Sequence, residues 1–148
     1  MNGSAVEILI IEDDPNDAEL ISRVLKKHNL FNRLVHLRDG AEAVDYLLDG
    51  PAPARQPEGG DPKVILLDLK LPKLNGIEVL KRIKTDERTR RIPVVILTSS
   101  KEGRDLKDAY DLGVNSYVTK PINFDEFAKA VSELGMYWLL LNKSPSKE

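Results

Sequence analysis

Apolar residues along this chain of 148 come in two rhythms. Ile8-Leu9-Ile10-Ile11 and Val64-Ile65-Leu66-Leu67 are unbroken runs with no polar alternation. That is the pattern of strands buried on both faces of a parallel sheet. Between such runs, apolar positions recur three and four apart, as on a helix that buries one stripe. The segments then alternate in type. A strand at 6–11 precedes a helix that opens near Pro15 and carries Ala18, Leu20, Ile21, Val24 and Leu25. Residues 32–37 read as a second strand, followed by a helix with Ala41, Ala43, Val44, Leu47 and Leu48. A third strand, 63–68, leads through Pro72 and Asn75-Gly76 to a helix with Val79, Leu80 and Ile83. Ile92 to Leu97 and about 114–118 are the last strands, separated by a helix near 102–112, and a final helix starts near Asn123. Regular alternation of this kind implies a parallel sheet covered by helices on both faces.

Two stretches depart from the rhythm. Gly50 to Pro62 holds four prolines and three glycines and reads as a surface loop at the amino end of a strand. At the other end, Phe124, Phe127, Val131, Leu134 and Trp138 form one stripe expected to pack on the sheet. Beyond Gly135, Met136-Tyr137-Trp138-Leu139-Leu140-Leu141 is apolar on every side. A helix apolar all round needs cover all round, so this extension is expected to meet a second copy or another partner. One domain over 6–142 with a disordered tail at 143–148 is the expected organisation.

Composition narrows the function. A net charge of −2 supplies no global field for nucleic acid or an anionic membrane. The basic cluster Lys81, Arg82, Lys84, Arg88, Arg90 and Arg91 is interrupted by Asp86 and Glu87 and reads as a solvated helix end. Absence of cysteine excludes disulfides and thiol catalysis. Met1-Asn2-Gly3-Ser4 does not resemble a secretory signal, and no run is long enough to span a bilayer, so a cytoplasmic protein is expected.

The chemistry gathers at strand ends. The first run leads directly into Glu12-Asp13-Asp14-Pro15, and the third into Asp68-Leu69-Lys70-Leu71-Pro72. Carboxylates at the ends of buried strands are costly unless something cationic neutralises them. In a flavodoxin-like sheet of order 2-1-3-4-5, the first and third strands are neighbours, about 4.8 Å apart, and ligands bind at their carboxyl ends. Asp13 and Asp68 would then share one pocket, and oxygen-only ligands with room for water suit Mg²⁺. Thr98 adds a hydroxyl after the fourth strand and Lys120 a charge after the fifth. Asp14 is expected to cap the helix after Pro15. His28 and His36 lack carboxylate company and are not read as ligands.

Glu12-Asp13, Leu67-Asp68-Leu69-Lys70-Leu71-Pro72, Leu97-Thr98-Ser99 and Lys120-Pro121, in this order and each at a strand end, resemble the response regulator receiver domain. The likeness runs from about Val6 to Leu134. It implies that Asp68 accepts a phosphoryl group from the phosphohistidine of a sensor histidine kinase. It further implies that Asp13 binds Mg²⁺ directly, Glu12 through water and Lys70 by its backbone carbonyl, while Lys120 and Thr98 hold phosphoryl oxygens. Ser99 would leave access open, and Lys70 and Ser100 would tune hydrolysis. Thr98 and Tyr117 would be the switch, acting on the face of the fourth helix, fifth strand and fifth helix. That face, with the apolar extension, is expected to form a homodimer. Too little chain follows for a DNA-binding or enzymatic output domain, so the expected protein is a single-domain regulator that works through other proteins. The proline-rich loop and the Tyr-Trp ending resemble regulators paired with bacterial phytochrome kinases. An aspartyl-nucleophile phosphohydrolase is the alternative enzyme, but many of these carry Asp where Lys70 stands. A pseudo-receiver is the alternative binding module.

Overall fold

The computed structural model describes residues 6–31, 33–49 and 61–143. Strands β1 (Ile8–Ile11), β2 (Leu34–Leu37), β3 (Val64–Leu67), β4 (Val94–Thr98) and β5 (Ser116–Thr119) are parallel, in the order β2-β1-β3-β4-β5. Helices α1 (Pro15–Lys27), α2 (Gly40–Val44), α3 (Gly76–Thr85), α4 (Gly103–Asp111) and α5 (Phe124–Gly135) connect or follow them. α2 runs on as a π-helical turn through Asp49, and α5 as another through Leu141. This is the flavodoxin-like arrangement the alternation predicts. The expected strand at 32–37 begins at Leu34, and Asn32 lies outside the described residues. The proline-rich segment 50–60, the amino-terminal 1–5 and most of the tail, 144–148, also lie outside them.

Both faces of the sheet are covered, which is why the inner strands β1, β3 and β4 read as continuous apolar runs, whereas the edge strands β2 and β5 are half-buried. On one face Leu9, Ile11, Ile65, Leu67, Val94 and Ile96 pack with Val44 and Leu47 after β2, Val79, Leu80 and Ile83 of α3, and Ala109 of α4. On the other, Ile8, Ile10, Val64, Leu66, Val95 and Leu97 meet Ile21 and Leu25 of α1 and Phe127 and Val131 of α5. Side-chain caps start four of the five helices, all but α4. Asp14 accepts from the Asn16 N–H at 2.8 Å, Asp39 from Glu42 at 2.7 Å, Asn75 from Glu78 at 2.9 Å and Asn123 from Glu126 at 3.0 Å. Each satisfies an amide that the helix itself leaves unpaired.

α5 and its extension differ in part from the sequence reading. Phe127 and Val131 are buried and Leu134 and Trp138 lie against the core, but Phe124 is exposed at the helix start and does not join the stripe. Gly135 marks a close approach, because a Cβ there would stand 2.4 Å from Leu25 Cδ2 of α1. The extension folds back in part on its own domain. Leu139 is buried and its carbonyl accepts from Lys63 Nζ at 3.4 Å, whereas Met136, Tyr137, Leu140 and Leu141 remain exposed. A π-helical turn changes the angular spacing of side chains, and here one leucine in the run points inward.

Lys84 also departs from expectation. It is not part of a solvated helix end. Its ammonium donates to the Arg90 carbonyl at 3.1 Å, the Ile92 carbonyl at 2.9 Å and Asn115 Oδ1 at 3.1 Å. The same Asn115 oxygen accepts from the Val94 N–H at 2.8 Å. One lysine and one asparagine thus brace the amino ends of β4 and β5.

Candidate functional site

Strand register builds the site. Ile11 pairs with Leu67, and the Asp68 N–H donates to the Ile11 carbonyl at 3.0 Å, which brings Glu12 and Asp68 side by side. Thr98 pairs with Thr119, and the Lys120 N–H donates to the Thr98 carbonyl at 2.7 Å, so Lys120, the residue after β5, turns into the same mouth. The sheet order reverses direction between β1 and β3, the place where open parallel sheets leave a crevice. Gly76 closes the floor: a Cβ there would stand 2.4 Å from the Asp68 carbonyl oxygen, so any larger residue would push α3 away from the loop after β3.

Lys120 is the centre of the cluster. Its Nζ lies 2.7 Å from Glu12 Oε1, 2.8 Å from Asp17 Oδ2 and 3.1 Å from Asp68 Oδ2. The lysine side chain is only 9% exposed, with Glu12 and Asp68 at 3% and 8%. Asp68 Oδ1 accepts from the Lys70 N–H at 3.3 Å, and Glu12 Oε2 from the Asp14 N–H at 3.0 Å. His36 Nε2–H donates to the Glu12 carbonyl at 2.8 Å and fixes that strand end from β2.

The two buried carboxylates are driven apart in acidity. Burial raises Glu12, and the Lys120 hydrogen bond only partly offsets this while the Asp68 charge adds to it, leaving its pKa at about 7. Burial also pushes Asp68 upward. The Thr98 hydroxyl, the Lys120 charge and hydrogen bonds from Glu12 and Lys120 outweigh it, so Asp68 is held below its ordinary value. Burial disfavours the Lys120 cation, but its hydrogen bonds to Asp17 and Glu12 and the charges of Glu12 and Asp68 raise its pKa overall. Asp68 is therefore the ionised nucleophile candidate, and Glu12 the carboxyl that takes up a proton near neutrality.

Of the residues singled out from sequence, Glu12, Asp68, Thr98 and Lys120 converge. Asp13 is exposed at the rim, and Lys70 contributes its N–H to Asp68 while its side chain faces solvent. Among the described residues, no group of three or more His, Cys, Asp or Glu stands ready to enclose an ion, since Lys120 occupies the ground between Glu12 and Asp68. The donor set is nonetheless oxygen-only and crowded with negative charge, which suits a hard divalent cation once the lysine gives way. Ser99 is exposed beside the mouth. Ser100 is buried, and its Oγ donates to Asp105 Oδ2 at 2.5 Å. Tyr117 is half-buried and its hydroxyl donates to the Ser100 carbonyl at 3.2 Å.

Asp17 is the residue that sequence reading passes over. An acid in the first turn of a helix complements the helix dipole, and that ordinary explanation conceals its reach to Lys120. The available signal is its position one turn beyond Asp13, on a helix that begins beside the site.

Comparison with known proteins agrees with this geometry. The description of the response regulator receiver domain family matches residues 8–132. The chain is 45% identical over 141 residues to the probable methanogenesis regulatory protein FilR2 of Methanothrix harundinacea, covering 93% of this chain and 86% of that protein. It is 40% identical over 132 residues to the response regulator Rcp1 of Synechocystis sp., covering 89% and 88%. A crystal structure of the Mn²⁺-bound form of Rcp1 superposes with a TM-score of 0.85 at 38% identity, over 96% of this chain and 100% of that one. The phosphorylated cyanobacterial phytochrome response regulator RcpA gives 0.87 at 38% identity, over 97% and 100%. With the sheet order, the acidic strand ends and the lysine after β5 all in place, the chain belongs to the response regulator receiver domain family and is a receiver of two-component signalling.

Proposed function

We propose that Asp68 is the phosphoacceptor of this receiver, charged by the phosphohistidine of a sensor histidine kinase. An Asp68 carboxylate oxygen attacks phosphorus, the P–N bond to the histidine breaks, and the electron pair leaves with the imidazole. Such transfers depend on in-line positioning and on neutralising charge that spreads over the phosphoryl oxygens. Lys120 and the Thr98 hydroxyl would take those oxygens. Glu12, Asp13 and Asp68, with the Lys70 carbonyl, would hold Mg²⁺, which supplies further charge neutralisation when bound. The observation that carries this reading is the Lys120 ammonium shared by Asp68 and Glu12 at the carboxyl ends of β3 and β1. The Mn²⁺-bound Rcp1 and phosphorylated RcpA support it by similarity.

Phosphorylation would act on Thr98 and Tyr117 and reshape the face of α4, β5 and α5, where Leu106 and Tyr110 of α4 and Tyr137, Leu140 and Leu141 of the extension are exposed. That surface is proposed to carry a homodimer, which sedimentation at graded concentration would test. A kinase of the phytochrome type is the proposed donor, by likeness to RcpA. The chain would catalyse no reaction beyond its own phosphorylation and dephosphorylation. Intact-mass spectrometry after acetyl phosphate and Mg²⁺ tests the core of the reading. A single phosphoryl adduct is expected, absent without metal and absent in Asp68→Asn. An adduct that survives Asp68→Asn, or none while a control receiver is labelled, overturns it.

A further inference from the structure

The Lys120 ammonium has three N–H bonds and three carboxylate acceptors, so it has nothing left to offer an incoming phosphoryl group. One bond must break. Glu12 and Asp68 are only 3% and 8% exposed, and water cannot readily replace the lysine there. A buried carboxylate that loses its cation pays a heavy desolvation penalty. Asp17 is 26% exposed at the edge of the mouth, and its carboxylate can be rehydrated when the ammonium leaves. Without metal, the bond from Lys120 to Asp17 is the one that opens at the lowest cost; with a divalent cation neutralising Glu12 and Asp68, Asp17 is the acceptor left to compete for the ammonium.

Nothing in the local structure of α1 explains why Asp17 should make this bond. Asp14 caps the helix and accepts from the N–H groups of Asn16 and Asp17 at 2.8 and 3.4 Å. The Asp17 carboxylate is left to face Lys120, which lies more than a hundred residues away in sequence.

We propose that Asp17 is a positioning residue that holds Lys120 in reserve and so sets how strongly the site takes up a phosphoryl-like anion. The inference rests on Asp68 being the phosphoacceptor. Two effects act in one direction. Asp17 competes with the anion for the ammonium, and its own charge repels the anion. Removing that charge therefore tightens anion binding and, by the same electrostatics, weakens or leaves unchanged the binding of a divalent cation. Damage to the fold would weaken both.

The test is calorimetric titration of the full chain with Mg²⁺ alone and then with beryllofluoride at saturating Mg²⁺. Wild type, Asp17→Asn and Asp17→Glu are compared, with thermal midpoints recorded for each. Asp17→Asn is expected to bind beryllofluoride about two- to five-fold more tightly, the range expected for losing one partly screened charge pair. Its Mg²⁺ affinity is expected to be equal or lower, and Asp17→Glu should return both values toward wild type. Equal or weaker beryllofluoride binding by a folded Asp17→Asn overturns the inference while leaving the phosphoacceptor reading intact. Wild type that binds no beryllofluoride overturns the phosphoacceptor reading first, and this inference with it.

Discussion

Two lysines are withdrawn from water at opposite ends of this sheet, and each makes three hydrogen bonds. Lys120, at the carboxyl end, faces Glu12, Asp17 and Asp68. Lys84, near the amino ends of β4 and β5, faces the carbonyls of Arg90 and Ile92 and the Asn115 side chain. Burial lowers the pKa of Lys84, with no carboxylate to counter it. In Lys120 the same burial is overcome by its anionic partners, and its pKa rises. Neutral carbonyls satisfy an ammonium and fix two loops, and they carry no charge that a ligand could displace. Carboxylates leave the cluster with excess negative charge and a cation that can change partners. The amino end is thus built to stay as it is, and the carboxyl end to exchange.

The largest effect should come from taking the cation out of the carboxyl end. Lys120→Met leaves Glu12 and Asp68 buried against each other, and should cost about 3 kcal/mol in urea unfolding at mildly alkaline pH. The loss should shrink as the pH falls, because Glu12, without the lysine that lowers its pKa, takes up a proton more readily than in the wild type.

A smaller effect isolates that proton. The folded pKa of Glu12 is about 7 against an ordinary 4.5, so between those values the folded state binds more protons than the unfolded one. The contribution of Glu12 is therefore fully present below 4.5 and lost as the pH rises through about 7. Glu12→Gln removes this dependence. Measured against wild type, it should gain about 2–3 kcal/mol between roughly pH 4 and pH 8. Asp68, whose folded pKa is lowered, acts in the opposite sense: its stabilisation is fully present above its ordinary 3.8 and is lost as the pH falls below it, so the two pH-dependent windows do not overlap.

The smallest effect belongs to the amino end. Lys84→Met should cost about 1–2 kcal/mol, the scale of a few lost hydrogen bonds to carbonyls that water can partly reach. That cost should be flat across the window in which Glu12 titrates. A strong pH dependence there would show that the two ends are electrostatically coupled and would break the contrast.

The three inner strands were legible because burial on both faces leaves no polar alternation, and Glu12, Asp68 and Thr98 because each closes such a run. The fifth strand, Ser116-Tyr117-Val118-Thr119, is only half-buried, and Lys120 was legible from its place beside Pro121 after it. Asp14 was legible as a cap from its place before Pro15. Asp17, Lys84 and Asn115 were not. An acid in a first helical turn and a lysine in a basic stretch have ordinary local explanations, and an asparagine before a strand has many. Their partners lie far along the chain, 103 residues for Asp17 with Lys120 and 31 for Lys84 with Asn115. Phe124 was misread because helical periodicity gives the direction of a stripe and not where the sheet beneath it ends.

What the amino-acid sequence determined by itself is the set of elements, their order and the chemical groups at the strand ends, because hydrophobic period and turn chemistry act over a few residues. Only the tertiary structure decided which of those groups share a hydrogen bond, how far each is removed from water, and hence that Glu12 and Asp68 differ in acidity. Those properties depend on register between strands and on what covers them, and both are settled by contacts distant in the chain.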